Sequence, residues 1–292
     1  MRVKTFKPLE AKDIIAAKDI ILKKRSSGSH KGDNGRVFAV GGSMEYVGAI
    51  MLAGMASYRS GADLVVVAAP EKIALAINVW PDFVTAKLKG SFLEERHTME
   101  IIRESGKYDV LLIGNGIGMR KTTKSFVKKV VAGCICKKVI DADAIKSIRI
   151  QGASNSIITP HRAEFDILLR NSGIKIRRMS LQEKIAAAKR IMGSNVILLK
   201  VRTGKITGII FSKDRTAYNT TGNAGMTVAG TGDVLAGLCA GLVAQKNELF
   251  MSACAAAYVN GYAGDLLYKE YGYGFTATDL ADRAAFVLKR RE

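Results

Sequence analysis

Short apolar runs alternate with longer segments of helical period along most of the chain. The runs "RVFAVGG" (36–42) and "LVVVAAP" (64–70) have the length and composition of buried strands, and "AIMLAGMASYRSGA" (49–62) between them predicts a helix rich in small residues. A strand that is apolar on both faces has to be covered on both sides. The alternation therefore predicts an α/β fold with a mainly parallel central sheet and helices on both faces.

The same alternation continues to the C-terminal end. The Ser180/Glu183 and Thr276/Asp279 pairs have the spacing of a capping box, which predicts a helix start at each. Since no linker and no internal repeat interrupts the pattern, we expect a single domain over residues 1–292. Further strands are predicted within 108–118, 137–144, 195–200, 206–212 and 215–220, a strand, turn and helix within 156–170, and helices within 125–133, 180–193, 231–245, 248–269 and from 276.

The chain of 292 residues carries 45 Lys and Arg against 26 Asp and Glu, a formal net charge of +19. Such an excess favours anionic partners, which include nucleic acids, membrane surfaces and phosphorylated small molecules. The basic residues are dispersed, however, and no aromatic ladder of the kind that binds single strands accompanies them. We expect a mostly solvated surface charge, small anionic ligands and no nucleic-acid partner.

Other features exclude several classes of protein. The start "MRVKTFKPLEAKD" has no apolar segment of signal-peptide length, and runs such as "VLAGLCAGLVA" are too short to span a bilayer. The four cysteines show no CxxC spacing, and the three histidines show no HxxxH or HExxH pattern. We therefore expect a cytoplasmic protein with no membrane contact, no disulfide framework and no zinc site.

Glycine-rich and polar motifs follow the predicted strands. They are "GGSMEYVGA", "GNGIG", "DADA", "TPHRAE", "LLKVRTGK" and "AGTGD". Any one of them is equally compatible with a structural role, because glycine turns and capping acids occur in every α/β protein. Ligands of such folds bind at the carboxyl ends of the strands, so six motifs at that edge predict a common cleft.

The run "AGTGDVLAG" (229–237) is the most specific of these motifs. If Gly230, Thr231 and Gly232 form the turn into a helix, their unpaired amides and the positive helix end make an anion site suited to phosphate. Asp233 would repel that phosphate unless a reacting hydroxyl lies between them, as a phosphoryl-transfer base requires. The structural alternative is an acid that only stabilises the helix N-terminus, by at most about 1 kcal/mol. We favour the catalytic role.

These motifs carry a resemblance to a known family. "GTGD" before a small-residue helix resembles the anion-hole motif of the ribokinase-like superfamily, and the P-loop pattern is absent. With "LLIGNGIG", "VIDADAI", "ITPHRAEFDILL" and "GNAGMTVAGTGDVLAG", the chain from about His30 to the last helix resembles the NAD(P)H-hydrate dehydratases. The resemblance implies a ribokinase-like fold and a lyase that repairs hydrated NADH and NADPH with ADP or ATP as co-substrate.

The resemblance also implies a mechanism. The nucleotide phosphorylates the C6 hydroxyl of the hydrated nicotinamide (S epimer), giving AMP from ADP or ADP from ATP. The ring nitrogen then expels phosphate and restores the double bond. Asp233 would take the hydroxyl proton while the amides at Thr231 and Gly232 hold the transferring phosphoryl group. Mg²⁺ would balance the nucleotide phosphates.

The binding residues that the resemblance implies fall into two sets. By itself, His161 is better explained as a turn residue, and Glu164 resembles the acid that ribokinase-like enzymes use near the metal and phosphates. The set for hydrated NAD(P)H is Ala49, Gly116, Gly118, His161 and Asp233. The set for the nucleotide is Lys200, Val201, Arg202, Thr203, Gly204 and Gly232.

The sequence departs from the family pattern at several positions. Val201 and Arg202 stand where small residues are usual, and Asn115 stands where proline is usual. Arg162 and Ala163 likewise replace proline and glycine. The "GTGD" motif is intact, so we expect the chemistry to be retained. Because the Arg202 guanidinium could contact a phosphate, we expect only modest selectivity for adenine.

Members of the family often carry a fused epimerase domain that equilibrates the two hydrate epimers. The dehydratase pattern begins by His30, and the preceding segment 9–25 is predicted as one helix. We therefore expect no fused epimerase domain and a separate epimerase as functional partner. The family tends to form tetramers, and the small residues between 231 and 263 suit packing within or between subunits. We expect a homo-oligomer, with a tetramer favoured.

Two other functions are compatible with the sequence. The same fold would suit a kinase of a small alcohol such as a vitamin precursor, whose phosphorylated product is released. The second is a basic protein that binds nucleic acid or NAD without phosphoryl chemistry. "GNGIG" lacks the third glycine of the Rossmann pattern, which makes the NAD signal weak.

Overall fold

The computed structural model describes residues 13–289, whose strands form one sheet. The strands are β1 Arg36–Val40, β2 Leu64–Pro70, β3 Val84–Leu88, β4 Val110–Ile113, β5 Lys137–Ile140, β6 Ser156–Ile158, β7 Val196–Thr203, β8 Ile206–Phe211 and β9 Thr216–Asn219. Their order across the sheet is β3-β2-β1-β4-β5-β6-β7-β8-β9. Strands β1 to β7 pair in parallel, and β8 and β9 are added antiparallel. The mainly parallel sheet predicted from the sequence is confirmed.

Helices cover both faces of this sheet. They are α1 Val47–Arg59, α2 Glu71–Ile77, α3 Thr98–Ser105, α4 Lys121–Gly133, α5 Arg162–Asn171, α6 Leu181–Ile191, α7 Thr231–Ala244, α8 Leu249–Tyr271 and α9 Ala277–Lys289. Along β1, Val37 and Ala39 belong to a core that includes residues of α1, α2, α7, α8 and α9. Phe38 and Val40, on the other face, belong to a core with α3, α4, α5 and α6. Within residues 13–289, no helix has both the length and the apolarity needed to cross a bilayer.

The helix predicted over 9–25 is wrong in the part that the structure describes. Residues 9–12 lie outside the described residues, and from there the chain forms a β-bridge between Ile14 and Tyr218 and a short 3₁₀ turn, Ala17–Asp19. The Ile15 amide donates to the Tyr218 carbonyl at 3.0 Å, and the Ile15 side chain is buried in the core. Pairing with the sheet edge satisfies the backbone here and replaces helical hydrogen bonding.

The region between β2 and β4 contains elements that were not predicted from the sequence. Helix α2, strand β3 and helix α3 lie there. In β3 the residues are exposed, partly buried or buried without a regular alternation, because the strand is at the edge of the sheet. An edge strand of five residues gives too little periodicity to be recognised. Both predicted capping boxes are confirmed, at Ser180/Glu183 and at Thr276/Asp279.

Helix α7 packs closely on α1 because small residues line the contact. The Ser57 hydroxyl of α1 donates to the Gly237 carbonyl of α7 at 3.0 Å. A methyl group added at Gly237 would clash with the Ala53 carbonyl and lie 2.7 Å from the Ala56 methyl. One added at Gly241 would lie 2.6 Å from the Ser57 carbonyl oxygen. These glycines therefore serve packing inside the subunit, and they set the height of α7 above the sheet.

We expect Gly237→Ala to lower the free energy of unfolding by about 1–3 kcal/mol, because overpacking forces the α1–α7 contact apart. Denaturant unfolding followed by circular dichroism measures the change. The matched control is Gly48→Ala in α1, where an added methyl meets no atom within 4 Å. That change should be neutral or stabilising by up to about 1 kcal/mol. Equal effects of the two substitutions would contradict the packing role of Gly237.

Candidate active site

The N-terminus of α7 faces the carboxyl ends of the central strands. Gly230 precedes the helix in the left-handed region (φ 94°), where a methyl group would lie 2.6 Å from Leu52 and 2.8 Å from Ala277. The Thr231 hydroxyl donates back to the carbonyls of Met226 and Val228, at 2.9 and 3.1 Å. The turn is thereby fixed. The Thr231 amide, predicted to be unpaired, donates to the Val228 carbonyl at 3.4 Å, whereas the Gly232 and Asp233 amides have no carbonyl partner within the helix. This end of α7 has the geometry of an anion site.

Asp233 lies in the first turn of α7 and is hydrogen-bonded across the site. The Asn115 side-chain nitrogen, just after β4, donates to Asp233 Oδ1 at 2.7 Å. The pKa of Asp233 is raised to about 6. Burial is the largest cause, and the nearby Asp141 carboxylate raises the pKa further. The hydrogen bond from Asn115 and the charge of Lys200 oppose this rise. A carboxyl group with this pKa is mostly ionised at neutral pH and is more basic than an ordinary aspartate, which suits a general base.

Asp141 follows β5 and accepts three side-chain hydrogen bonds. They come from the Thr159 hydroxyl at 2.6 Å, the Asn115 amide at 3.0 Å and the Lys200 ammonium at 3.1 Å. Burial lowers the pKa of Lys200, but the carboxylates of Asp141 and Glu164 outweigh it, so the pKa is raised overall. Lys200 therefore stays positively charged beside the helix end. A methyl group at Gly232 would be 3.6 Å from its nitrogen, so the missing side chain leaves this cation open to the helix start.

His161 and Glu164 cap helix α5 reciprocally. The Glu164 amide donates to His161 Nδ1 at 3.3 Å, and the His161 amide donates to Glu164 Oε2 at 3.0 Å. Glu164 is buried, whereas about half of the His161 side chain is exposed. The Lys200 amide donates to the Pro160 carbonyl at 2.8 Å, which holds this cap beside β7. The cap thus presents the exposed part of the imidazole next to Lys200.

A cavity of about 670 Å³ opens beside the start of α7. It is large enough for a small-molecule ligand. Thr203 and Gly204 lie in and after the end of β7 and do not line it. The predicted residues that do line it are His161, Lys200, Val201, Arg202, Thr231 and Gly232. Polar lining residues that were not predicted from the sequence are Thr207, Asn219, Thr221, Asn223, Thr227 and Asn260.

Arg202 and Val201 differ sharply in exposure. Val201 is 6% exposed and packs in the core shared with α5 and α6, whereas Arg202 is exposed on the cavity wall. The register of the β7–β8 hairpin shifts between Lys200 and Thr203, so the regular alternation of side chains is broken there. Arg202 is thus the residue of this pair that offers a charged group to the cavity.

A second cavity, of about 340 Å³, opens next to the loop after β4. Gly118 lines it, and the Gly118 amide donates to the Asp143 carboxylate at 3.2 Å. A methyl group at Gly116 would lie 3.2 Å from the Ala49 methyl, so these two positions are in close contact. The structure therefore brings Ala49 of α1 next to the loop that contains Gly116 and Gly118. Asn115 begins this loop and connects it to Asp233 by a hydrogen bond.

Asn115 and Asp141 are central to the site and were not among the residues predicted from the sequence. Both were visible as parts of strand-end motifs, in "GNGIG" and "DADA". Their convergence on Asp233 depends on β4 and β5 being neighbours in the sheet. Among residues 13–289, no group of three or more His, Cys, Asp or Glu side chains is arranged to hold a metal ion.

Comparison with known proteins gives a consistent result. Residues 37–285 match the sequence model of the family described as NAD(P)H-hydrate dehydratase. The chain is 42% identical over 286 residues to the bifunctional NAD(P)H-hydrate repair enzyme Nnr of Methanocaldococcus jannaschii, covering 97% of this chain and 54% of that enzyme. It is 40% identical to the Nnr of Methanothermobacter thermautotrophicus, covering 91% and 52%. The chain spans about half the length of the curated relatives it matches.

Solved structures show the same fold. A ribokinase-like superfamily protein of Enterococcus faecalis superposes with a TM-score of 0.81 at 25% identity, covering 98% of this chain and 99% of that one. The ADP/ATP-dependent NAD(P)H-hydrate dehydratase of Bacillus subtilis, co-crystallised with ATP and Mg²⁺, superposes with a TM-score of 0.71 at 23% identity, covering 94% and 96%. The fold is ribokinase-like, as predicted, and the chain belongs to the NAD(P)H-hydrate dehydratase family.

Proposed function

We propose that this protein catalyses the nucleotide-dependent dehydration of the S epimer of hydrated NADH and NADPH, with ADP or ATP as co-substrate. The observation that carries the proposal is the placement of Asp233. The two residues before it, Thr231 and Gly232, line the larger cavity, and its partner Asn115 begins the loop that lines the smaller one. We infer that this half-buried carboxyl group, with a pKa of about 6, lies between space for a nucleotide and space for a second substrate.

The proposed chemistry follows from this placement. Asp233 accepts the proton of the C6 hydroxyl while the hydroxyl oxygen attacks the terminal phosphorus of the nucleotide. The nucleotide leaves as AMP or ADP. The amides at the start of α7 and the Lys200 ammonium stabilise the charge on the transferring phosphoryl group. The lone pair of the ring nitrogen then expels phosphate, and loss of the C5 proton restores the double bond.

Mg²⁺ fits this site as a partner of the nucleotide. Magnesium is usually held by one or two carboxylates together with phosphate oxygens and water, so a full set of protein ligands is not needed. Glu164, buried and within electrostatic range of Lys200, is the carboxylate that we propose near the metal. The ion would neutralise phosphate charge during transfer.

We propose that an NAD(P)H-hydrate epimerase supplies the S epimer. The cytoplasmic location and the tetramer stay predictions. Since Gly237 and Gly241 are used inside the subunit, a tetramer interface would have to use other surfaces.

Asp233→Asn should lower turnover by about 10²-fold or more while nucleotide affinity changes little, because the general base is lost and the helix end is kept. The assay mixes hydrated NADH, ADP or ATP and Mg²⁺ and follows the absorbance of regenerated NADH. A kinase of another alcohol would consume nucleotide without restoring this absorbance. Near wild-type turnover in the Asn variant would reduce Asp233 to a helix-capping acid.

The acid limb of kcat/KM should lie near pH 6, since Asp233 accepts a proton only as the carboxylate and its pKa is raised to about 6. Activity should be low below this limb and level above it. Nucleotide phosphates also ionise near pH 6. The residual rate of Asp233→Asn, measured over the same range, isolates that contribution. A limb that persists unchanged in this variant would not belong to Asp233.

Arg202→Ala should raise the KM for the nucleotide by about tenfold, since a hydrogen bond to a charged group contributes about 1.5–3 kcal/mol. We expect kcat to change little, because the contact is made before and during transfer alike. Lys205→Ala is the matched control, since Lys205 is exposed in the same hairpin and does not line the cavity. Equal KM values for the two variants would place Arg202 outside the nucleotide site.

A further inference from the structure

One carboxamide group bridges two acidic side chains at the centre of the site. Asn115 is fully buried, and its Nδ2 donates to Asp233 Oδ1 at 2.7 Å and to Asp141 Oδ2 at 3.0 Å. The two hydrogens of this nitrogen are therefore both used, one for each carboxylate. No other side chain of residues 13–289 donates a hydrogen bond to the Asp233 carboxylate.

The orientation of this carboxamide is set by charge. Turned by 180°, Asn115 would direct its oxygen at two carboxylates, which offer no hydrogen when ionised. In the observed orientation, Asn115 Oδ1 is buried and has no hydrogen-bond partner. An unpaired buried acceptor is costly, so a residue present only to fill space would not need it. The two hydrogen bonds that its nitrogen donates hold the carboxamide in this orientation.

The groups that face Asp233 come from three elements. Asn115 follows β4, Asp141 follows β5, and Lys200 lies in β7. Asp141 repels a negative charge on Asp233, while Lys200 and Asn115 favour it. Glu164, at the start of α5, faces Lys200. Without Asn115, the two Asp side chains would meet with no donor between them, and Asp233 would hold its proton more tightly or turn away.

We propose that Asn115 is a positioning residue for Asp233: its carboxamide holds this carboxylate in place and links it, through Asp141, to Lys200 at the wall of the nucleotide cavity. The descriptions of Asp233 as the base and of Lys200 as a cation facing nucleotide phosphate rest on the proposed function. The link means that the base and the phosphate-facing cation share one hydrogen-bonded frame. A nucleotide that draws Lys200 towards its phosphates acts on Asp141, and through Asn115 on the base.

A titration of Asp233 tests the proposal without any assay of turnover. The protein is labelled with aspartate carrying ¹³C at the carboxyl carbon, and the Asp233→Asn variant assigns the Asp233 resonance. In Asn115→Ala, the pKa of Asp233 should rise by about one pH unit or more, since a hydrogen bond to a charged group is lost. Asn115→Leu, similar in size and without a donor, should show the same rise and serves if the alanine variant does not fold.

The matched control is Ser57→Ala, which removes a buried hydrogen bond to the Gly237 carbonyl of the same helix α7. A structural role for Asn115 predicts that both substitutions lower stability and that neither moves the titration. An unchanged pKa in Asn115→Ala or Asn115→Leu, or an equal rise in Ser57→Ala, would overturn the proposal.

Turnover gives the second readout. The acid limb of kcat/KM should move upward with the titration in the Asn115 variants, while the KM for the nucleotide stays within about threefold of wild type. Loss of activity at every pH with an unmoved limb would also count against the positioning role. If the wild type fails to regenerate NADH at all, the proposed function is wrong, and the titration still decides the role of Asn115.

Discussion

The close contact of α7 with α1 is the constraint on which the site depends. Helices normally pack 8–10 Å apart, with the distance set by the side chains at the contact. Here glycines of α7 face alanine and serine residues of α1, so the backbones can approach, and Ser57 joins the two helices by a hydrogen bond to the Gly237 carbonyl. Bulkier residues would lift α7 from the sheet. Asp233 would then no longer reach Asn115, and the first-turn amides would lose their position over the strand ends.

The sequence predicted this architecture well where the physical signal was local. Buried parallel strands are continuous apolar runs, so β1, β2 and β7 were recognised, and the capping boxes at Ser180 and Thr276 marked two helix starts. Segment 9–25 was misread, because its apolar residues pair with a sheet edge whose position depends on the whole fold. Edge strand β3 gave no signal, because its burial does not alternate.

The site was predicted only in part, for the same reason. The glycines and the aspartate of "GTGD" are adjacent in sequence, so an anion site and a base could be predicted from them. The roles of Asn115 and Asp141 depend on β4 and β5 being neighbours in the sheet, and the contact of Lys200 with Asp141 depends on β7 lying in the same sheet with only β6 between. The net charge of +19 does not predict the local charge at the site, where three acidic residues surround one lysine. Burial and neighbouring side chains, and not the net charge of the protein, set the pKa of Asp233.

The pairing of Ile14 with Tyr218 has a consequence for how copies of this chain meet. An uncovered edge strand offers free amides and carbonyls to any other strand, which is a route to aggregation. At the β9 edge, the chain's own residues 14 and 15 occupy part of that surface. At the opposite edge, β3 has only five residues and includes Lys87, and short charged edges resist strand addition. Within the described residues, extension of the sheet from one copy to the next is therefore disfavoured at both edges.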